Sequence, residues 1–578
     1  MKDVLQVFRD VDYALPQSIK TWHLYGAGLE NFGKDKQPED LPMPTYGADD
    51  LLARMDAVGI CFSDIKVINQ GDQHPRVVGR DLVKEPVILG HEVAVTIVGV
   101  GDNLKDQYKI GQRFIVQPDV WYGGKSMAFG YVLAGAQTQY QVLGKEIING
   151  DEGNYLLPIQ EATGYAEAAL TEPWGCVVAS YRIPRRPAIK HNGVMWFIGA
   201  DGNDIDYTLS ADVTSKLVLA TNISGKLLDE LKGLAAKGKF ELITTPSFKV
   251  MDIGELSHKY GLFDDVVILG ADSYIVEKVA PFLAKHALMN IVSAKPLQHP
   301  VKIDIGKIHY MNHSYLGTTG KVIGDAYPPI RVPSELKKDG VAWFIGAGGP
   351  MGQMHVQRAV ELQDGPRKII ATDIDTTRLQ SLKDRFTPIA DRRGIELCVV
   401  NPNEMSPEEY DKFLNEFTDG KGFDDIVVLA PVPALISGAV PYLGAEGLMN
   451  IFAGVAIGTI ATLDLSGVYM KQMRIVGSSG SKLSDIKDTL EAAESGALST
   501  NTSVAAIGGI EAAWDGMLAA KEGKYPGKVV IYPLIHNLPL TAVPDLKDIL
   551  PTVYEKLTHG MFWNREAEAE LIRVMIKL

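Results

Sequence analysis

The sequence predicts an α/β protein in which two doubly wound parallel sheets follow one another along the chain. Two apolar runs that end in glycine begin almost identically: GVMWFIGADGND at Gly193 and GVAWFIGAGGPMGQ at Gly340. A second pair, FDDVVILGADSYIVEKVAPFLAKHALMNI and FDDIVVLAPVPALISGAVPYLGAEGLMNI, begins at Phe263 and Phe423, 160 residues apart. In both halves, apolar β-branched runs alternate with helical stretches, which is typical of a parallel sheet covered by helices.

A third matched pair extends this internal repeat. HYMNHSYLGTTGK is echoed by VYMKQMRIVGSSGSK, and Gly317 and Gly477 are again 160 residues apart. The two glycine-ending strands are only 147 residues apart, so the second copy holds 13 more residues in its first half. Three matched blocks in one order predict a tandem duplication rather than two unrelated domains.

The second copy has the pattern of a dinucleotide-binding turn. The strand GVAWFI leads into glycines and then the helix MGQMHVQRAVEL, where glycines admit a pyrophosphate and free amides bind it. The strand RKIIATDID ends in Asp373, whose carboxylate suits the ribose hydroxyls of NAD and repels the 2′-phosphate of NADP. GAGGPMG is one residue longer than G-x-G-x-x-G, which leaves the roles of individual glycines open. The expected cofactor-binding residues are Gly346, Gly348, Gly349, Met351, Gly352 and Asp373.

The first copy departs from this Rossmann pattern where a diphosphate would bind. Asp201, Asp204 and Asp206 follow its glycine-ending strand, and their charges would repel a diphosphate. Its second strand, KLVLATNIS, ends in Thr221 and Asn222 without a carboxylate. We therefore expect a degenerate, structural domain that binds no cofactor.

Composition excludes several classes of function. The 578 residues carry a net charge of −14 and no basic stripe, which argues against nucleic-acid binding. No apolar run is long enough for a membrane span, and the N-terminal residues lack the pattern of a signal peptide. Only three cysteines occur, so a disulfide framework is not expected and a reducing cytoplasm is the expected location.

Four side chains before the repeat could bind a metal. VGICFSD contains Cys61, EPVILGHE ends in His91 and Glu92, and TEPWGC contains Glu172. Zinc accepts thiolate, imidazole and carboxylate ligands, and a catalytic zinc has three protein ligands and one open position. Each residue also has a structural explanation: a buried cysteine, a hydrogen-bonded histidine, or a Glu-Pro at a helix start. Spacing alone leaves both interpretations open.

As a set, GICFSD, PVILGHE and EPWGC resemble the medium-chain zinc alcohol dehydrogenase superfamily, in its sorbitol, threonine and polyol dehydrogenase branch. The resemblance covers residues 1 to about 190, resumes in the second Rossmann copy, and runs to about residue 533, where GKVVIYP resembles the family's closing strand. It implies a GroES-like β-barrel catalytic domain at residues 1–180. The degenerate Rossmann-like domain follows at 181–325, the NAD-binding Rossmann domain at 340–480, and a return to the catalytic domain with a helical tail at 481–578.

The resemblance also implies roles for individual residues. Cys61 and His91 would bind zinc, with Glu92 or Glu172 completing the shell. Ser63 would pass on the substrate proton, and Asp64 would orient the zinc histidine. Lys66 stands where many relatives have a histidine; it would end the proton relay or be an ordinary solvated lysine. QPDVWYGGKSMAFGYVLAG lacks the family's four clustered cysteines, so we expect one catalytic zinc and no structural zinc.

The function implied is hydride transfer between NAD and a secondary alcohol, such as a polyol, sugar alcohol or sugar derivative. Two alternatives stay open. His74, Arg76 and Arg80 would favour a sugar-phosphate or amino-alcohol dehydrogenase if they bind an anion, although surface charges are the simpler explanation. The other alternative is a sensor or scaffold protein that binds NAD without turnover. For assembly, we expect a homo-oligomer or a pseudo-dimer within one chain, and no nucleic-acid or membrane partner.

Overall fold

The computed structural model describes residues 3–77, 79–203, 205–248, 252–328, 330–478 and 480–577. The chain forms two compact units. The first comprises Met1–Val178, Gly349–Met354 and Ser481–Leu578, and the second comprises Ala179–Gly348 and His355–Gly480. No helix within the described ranges is both long and apolar enough to cross a membrane.

An eight-stranded, mostly antiparallel sheet forms the centre of the first unit. Seven strands follow one another in the order Thr541–Ala542, Val504–Gly509, Lys528–Tyr532, Leu51–Gly59, Glu92–Val100, Arg113–Val116 and Leu156–Pro158, and Tyr140–Leu143 pairs with Leu51–Gly59. Two small antiparallel pairs join Ser18–Thr21 to Glu39–Pro42 and Trp121–Tyr122 to Lys125–Ser126. Two of its strands, Leu51–Gly59 and Glu92–Val100, are buried almost throughout, which fixes the residues at their ends.

Helices cover this sheet and include the C-terminal tail. They are Val4–Asp10, Phe62–Gln70, Lys145–Ile148, Tyr165–Ala169, Thr171–Ser180, Leu483–Glu494, Ala513–Glu522, Leu546–Ile549, Pro551–Tyr554 and Arg565–Met575. In the last helix Glu568 is buried and accepts hydrogen bonds from the backbone N–H groups of Tyr165 and Ala166 and from the Tyr532 hydroxyl. The tail thus caps the short helix that precedes the Glu172 segment, because it satisfies amides left open at the helix start.

The second unit contains two six-stranded parallel sheets with the same strand order. In the first copy the order is Glu241–Thr245, Leu217–Thr221, Val194–Gly199, Phe263–Leu269, Leu283–Val292 and Ser314–Thr318. In the second copy it is Glu396–Val400, Lys368–Thr372, Val341–Ile345, Phe423–Val428, Leu443–Ile451 and Arg474–Val476. The parallel, doubly wound architecture expected from the repeat is confirmed.

Equivalent polar contacts recur in the two copies. The indole N–H of Trp196 donates to Thr221 at 2.9 Å, and that of Trp343 donates to Thr372 at 3.1 Å. The same central strand is thus joined to its neighbour by a buried tryptophan in each copy. Two polar contacts at matching positions support duplication more strongly than matching hydrophobicity does, because buried polar atoms need specific partners.

The copies differ in the segment after the first strand. The second copy has five helices, Pro350–Glu361, Thr376–Arg392, Pro407–Phe417, Pro433–Ala439 and Ser466–Met470. The first has Gly225–Ala236, Ile253–Tyr260, Ser273–Val279 and Ile305–Met311. Between Val194–Gly199 and Leu217–Thr221 the described residues form no helix; Tyr207, Leu209 and Val213 of this segment are buried against the sheet instead. The second strands begin at Leu217 and Lys368, 151 residues apart, so only four of the 13 extra residues of the second copy lie between its first two strands. Over the described residues, irregular chain therefore replaces the helix whose start would bind a diphosphate.

The two copies pair through strands related by an internal two-fold arrangement. Val301–Asp304 and Ile460–Leu463 form an antiparallel pair in which Val301 faces Leu463, Ile303 faces Ala461, and Lys302 faces Thr462. At an offset of 160 residues, Val301 is the counterpart of Ala461 and Ile303 of Leu463. Each contact therefore has its mirror image, which is the signature of an isologous interface.

The edge strands repeat this symmetry. A Cβ atom added at Gly317 would lie 2.5 Å from the Cβ of Tyr469, and one added at Gly477 would lie 3.3 Å from the Cα of His309. His309 and Tyr469 are themselves 160 residues apart. The glycines therefore allow the two sheet edges to approach closely, once from each side.

Candidate functional site

Antiparallel pairing brings together three of the four predicted metal ligands. Gly59 lies opposite Glu92 in two neighbouring strands of the first unit. Cys61 follows Gly59 by two residues, and His91 immediately precedes Glu92. One ligand atom from each of Cys61, His91 and Glu92 lies within 4.8 Å of the others.

Asp64 and Ser63 hold this group from the start of the helix Phe62–Gln70. Asp64 Oδ2 accepts a hydrogen bond from the backbone N–H of Cys61 at 3.0 Å, and its Oδ1 lies 3.2 Å from His91 Nδ1. Ser63 Oγ donates to Cys61 Sγ at 3.0 Å and lies 3.2 Å from His91 Nε2. Asp64 is therefore both a helix-start residue and a partner of two candidate ligands, so the capping and orienting roles coexist.

Glu92 forms a buried ion pair with Lys528, a residue that the sequence analysis missed. The carboxylate side chain is fully buried and the ammonium side chain is 4 % exposed. Burial lowers the pKa of Lys528, but the negative charges of Glu92, Cys61 and Glu172 together with the hydrogen bond to Glu92 raise that pKa overall. Only Glu92 Oε1 is engaged; Oε2 is buried without a hydrogen-bond partner. That oxygen is available to a cation, and a bound cation would satisfy it.

Glu172 lies close to the group in the helix Thr171–Ser180. Burial raises the pKa of Glu172, His91 lowers it and the negative charge of Glu92 raises it, so that the net pKa is about 7. Cys176, one turn on, has its Sγ 3.8 Å from Glu172 Oε1, and burial raises the pKa of its thiol well above the ordinary value. A buried carboxylate whose ionisation is opposed by its surroundings is stabilised by a nearby cation.

The donor set fits zinc. It offers one sulfur, one imidazole nitrogen and two carboxylates, which are the ligand types that zinc accepts. Asp64 supplies the carboxylate partner that metal-bound histidines usually have. A bound positive ion would give Oε2 of Glu92 a partner. It would also stabilise the ionised form of Glu172, whose pKa is raised in this site.

Tyr131 forms part of the wall beside His91 and was also missed from the sequence. Its ring centroid lies 5.5 Å from that of His91 and 5.9 Å from that of His74. The guanidinium of Arg76 lies 4.8 Å from the same ring, and its Nη2 lies 2.9 Å from Asp119 Oδ1. The loop that follows the first metal ligand therefore reaches back to the candidate site.

The other basic residues considered from the sequence have structural partners. Arg80 donates to backbone carbonyls, those of Glu85, Pro86 and Val132. Arg185 donates to the carbonyl of Pro328, and Arg186 pairs with Asp265. Lys66 is exposed on its helix. Among these four arginines, Arg76 is the one whose guanidinium lies against the Tyr131 ring beside His91.

The cofactor turn of the second copy is built as expected for an anion site. Gly346 has a φ of +79°, a left-handed conformation that favours glycine. Gly348 donates its N–H to Asp373 Oδ2 at 2.8 Å, so the carboxylate after the second strand lies at the turn. A Cβ atom added at Gly349 would meet nothing within 4 Å, which leaves open space at the start of the helix Pro350–Glu361 that contains Met351 and Gly352.

The equivalent place in the first copy is closed by side chains. Asn222, the counterpart of Asp373 after the second strand, has a φ of +53° and donates through Nδ2 to the carbonyl of Gly199 at 2.9 Å. The same amide lies 3.4 Å from Asp201 Oδ1. Asp206 is described and Asp204 lies outside the described residues. Among its described residues, this turn therefore has an acidic side chain and no helix start, whereas the second copy begins the helix Pro350–Glu361 there.

Comparison with known proteins agrees with this architecture. Residues 47–177 match the alcohol dehydrogenase GroES-like domain. Mannitol-1-phosphate 5-dehydrogenase of Aliivibrio fischeri is 26 % identical over 554 residues, covering 93 % of this chain and 95 % of that protein. L-sorbose 1-phosphate reductase of Klebsiella pneumoniae is 24 % identical over 316 residues, covering 50 % of this chain and 75 % of that protein.

A solved structure shows the same fold. The 2R,3R-butanediol dehydrogenase of Bacillus subtilis matches with a TM-score of 0.51 and 14 % identity, covering 89 % of this chain and 100 % of that one. The two relatives described above are named as a dehydrogenase and a reductase, and the residues matched by the GroES-like domain include the predicted motifs. The protein is an oxidoreductase that contains the GroES-like domain of alcohol dehydrogenases, and it is similar to dehydrogenases of the polyol branch of the medium-chain alcohol dehydrogenases.

Proposed function

We propose that the protein transfers a hydride between NAD and a secondary alcohol, a polyol or a sugar derivative, with the help of one zinc ion. The observation that carries this proposal is the convergence of Cys61, His91 and Glu92 beside Ser63, since a structural protein has no need of such a group. Reduction of NAD by a polyol in the presence of the purified protein tests it.

Cys61 and His91 would hold the metal, together with Glu172 or Glu92. Bound zinc supplies a Lewis acid that lowers the pKa of an alcohol. We favour Glu172 as the direct third ligand, because Glu92 is already neutralised by Lys528. Glu92 then contributes its unpartnered oxygen at the edge of the site.

Ser63 is placed to move the proton of the substrate alcohol. Its hydroxyl lies between Cys61 Sγ and His91 Nε2, so it can accept a proton there and pass it outward. Asp64 positions both of these ligands rather than touching the substrate. Lys66, one turn along the helix and exposed, is the candidate end of the relay to solvent.

The second Rossmann copy would bind NAD, which accepts the hydride as its own chemistry. The glycine turn and the helix start would bind the pyrophosphate, and Asp373 would accept hydrogen bonds from the ribose hydroxyls. Asp373 accepts a hydrogen bond from the Gly348 N–H. On cofactor binding, this hydrogen bond would be replaced by hydrogen bonds from the ribose hydroxyls to Asp373.

Asp373→Ala is expected to abolish tight NADH binding, while wild-type protein binds one NADH per chain. The loss follows because the ribose contacts and the anchored turn disappear together. Asn222→Ala is the matched control, since Asn222 is the counterpart of Asp373 in the first copy, and it should leave the stoichiometry at one. A fluorescence titration gives both numbers. Two sites per chain, or loss of binding in Asn222→Ala, contradict the assignment of a single functional copy.

We also propose that the first copy takes the place of a partner subunit's Rossmann domain. The mirrored contacts of Val301–Asp304 with Ile460–Leu463 support this, because an isologous surface that is satisfied within one chain is unavailable to a second chain. The cytoplasm stays the expected location.

The chain is expected to be monomeric, with a mass near 62.9 kDa by light scattering. Ile303→Lys should lower the melting temperature by the same amount at all protein concentrations, because its partner strand lies in the same chain. A true dimer would instead melt at a temperature that rises with concentration. That concentration dependence, or a doubled mass, would contradict the pseudo-dimer.

A further inference from the structure

Two cationic side chains and a histidine gather on the loop and helix that follow Cys61. Lys66, His74 and Arg76 lie within sixteen residues of the first candidate ligand. The backbone N–H of Arg76 donates to His74 Nδ1 at 3.3 Å, and the positive charges of Arg76 and Lys66 both act on the His74 ring. This group of positive charges contrasts with the net charge of −14 of the whole chain.

Tyr131 joins this cluster to the candidate metal ligands. Its ring contacts His91, His74 and Arg76. Two successive ring contacts therefore separate the guanidinium from His91. A linear polyol phosphate that reacts near Ser63 would extend past the Tyr131 ring toward Arg76.

The chemistry of Arg76 favours a phosphate at that far end. A guanidinium presents five N–H donors in a planar fork and matches phosphate in a two-point contact. Its Nη2 pairs with Asp119, but the arginine side chain is 42 % exposed and the aspartate side chain 38 %, so this ion pair is accessible to a competing anion. A phosphate dianion attracted by Arg76 and Lys66 displaces a single carboxylate more readily than a neutral hydroxyl does.

We propose that Arg76, assisted by Lys66 and His74, forms a subsite for the phosphate group of a phosphorylated polyol. This rests on the proposed function, since it names the substrate class of the same site. Asp119 occupies the subsite when no phosphate is present and so weakens the binding of substrates without one.

The test compares kcat/KM for a hexitol monophosphate with kcat/KM for the parent hexitol. The wild-type ratio is expected to favour the phosphate, and Arg76→Gln should lower that ratio at least about tenfold, as expected for losing charge-assisted hydrogen bonds. Asp119→Asn should raise it, because it frees the guanidinium. Lys84→Gln is the matched control: it removes a positive charge from the same loop at an exposed residue that pairs with Asp81, and should leave the ratio unchanged. An unchanged ratio in Arg76→Gln overturns the proposal.

Equilibrium dialysis with inorganic phosphate tests the phosphate subsite independently of the proposed dehydrogenase activity. Arg76→Gln should bind less phosphate than wild-type protein does, whether or not any alcohol is oxidised. If phosphate binding depends on Arg76 but no polyol is oxidised, the subsite is supported and the proposed function is wrong. If free polyols are oxidised but phosphate binding is the same in Arg76→Gln and wild-type protein, the proposed function is supported and the subsite is wrong.

Discussion

Cys61→Ser is expected to remove the bound zinc and to lower kcat/KM by at least about 10³-fold, the scale of losing several kcal/mol of Lewis-acid stabilisation. A hydroxyl is a far weaker zinc ligand than a thiolate, and the serine would also lose the hydrogen bond that Cys61 Sγ accepts from Ser63. Metal analysis and steady-state kinetics on the same preparation measure the two effects together.

Cys176→Ser is the control for this prediction. Cys176 is also a thiol near the site, 3.8 Å from Glu172 Oε1, and is not a proposed ligand. It should keep its zinc and most of its activity. If Cys61→Ser retained zinc, or if both serine variants lost it equally, the assigned ligand set would be wrong.

Lys528→Met is expected to lower the free energy of unfolding of metal-free protein by about 3–5 kcal/mol. The substitution leaves the carboxylate of Glu92 buried and without its positive partner, and such a charge is costly in an apolar interior. Urea denaturation monitored by tryptophan fluorescence gives the change. The transition to follow is that of the first unit, which contains both residues.

The double variant Glu92→Gln/Lys528→Met distinguishes the stability lost by removing the whole ion pair from the stability lost by leaving one charged partner buried alone. Without the negative charge, the methionine no longer leaves a buried ion unpaired, so much of the lost stability should return. A single-variant loss below about 1 kcal/mol would be the magnitude of an exposed pair and would contradict the buried ion pair.

Most of the fold could be predicted because the internal duplication allowed the two halves of the sequence to be compared with each other. The matched blocks at Phe263 and Phe423 became equivalent strands with equivalent neighbours, as predicted. The acidic residues after Gly199 indicated a degenerate turn, but not the absence of its helix. That absence depends on how Tyr207 and its neighbours cover the sheet, which no local pattern reveals.

The candidate site was predictable in its local parts and not in its distant ones. Cys61, Ser63 and Asp64 share one helix start, and His91 precedes the strand opposite, so short motifs contain them. Lys528 lies 436 residues from Glu92 along the chain, and its partner depends on which strands pair. Tyr131 likewise contacts His91 through the tertiary fold alone. Their roles became visible once the sheet order was known.

The most direct measurement of the central claim is NAD reduction by purified protein, with and without a zinc chelator. The substrates are polyols, their monophosphates and hydroxy amino acids. We expect turnover on the polyols or their phosphates, its loss on chelation, and its return with added zinc. Turnover that survives complete zinc removal, or NADH binding with no turnover on any substrate, would contradict the account and favour a sensor or scaffold that binds NAD.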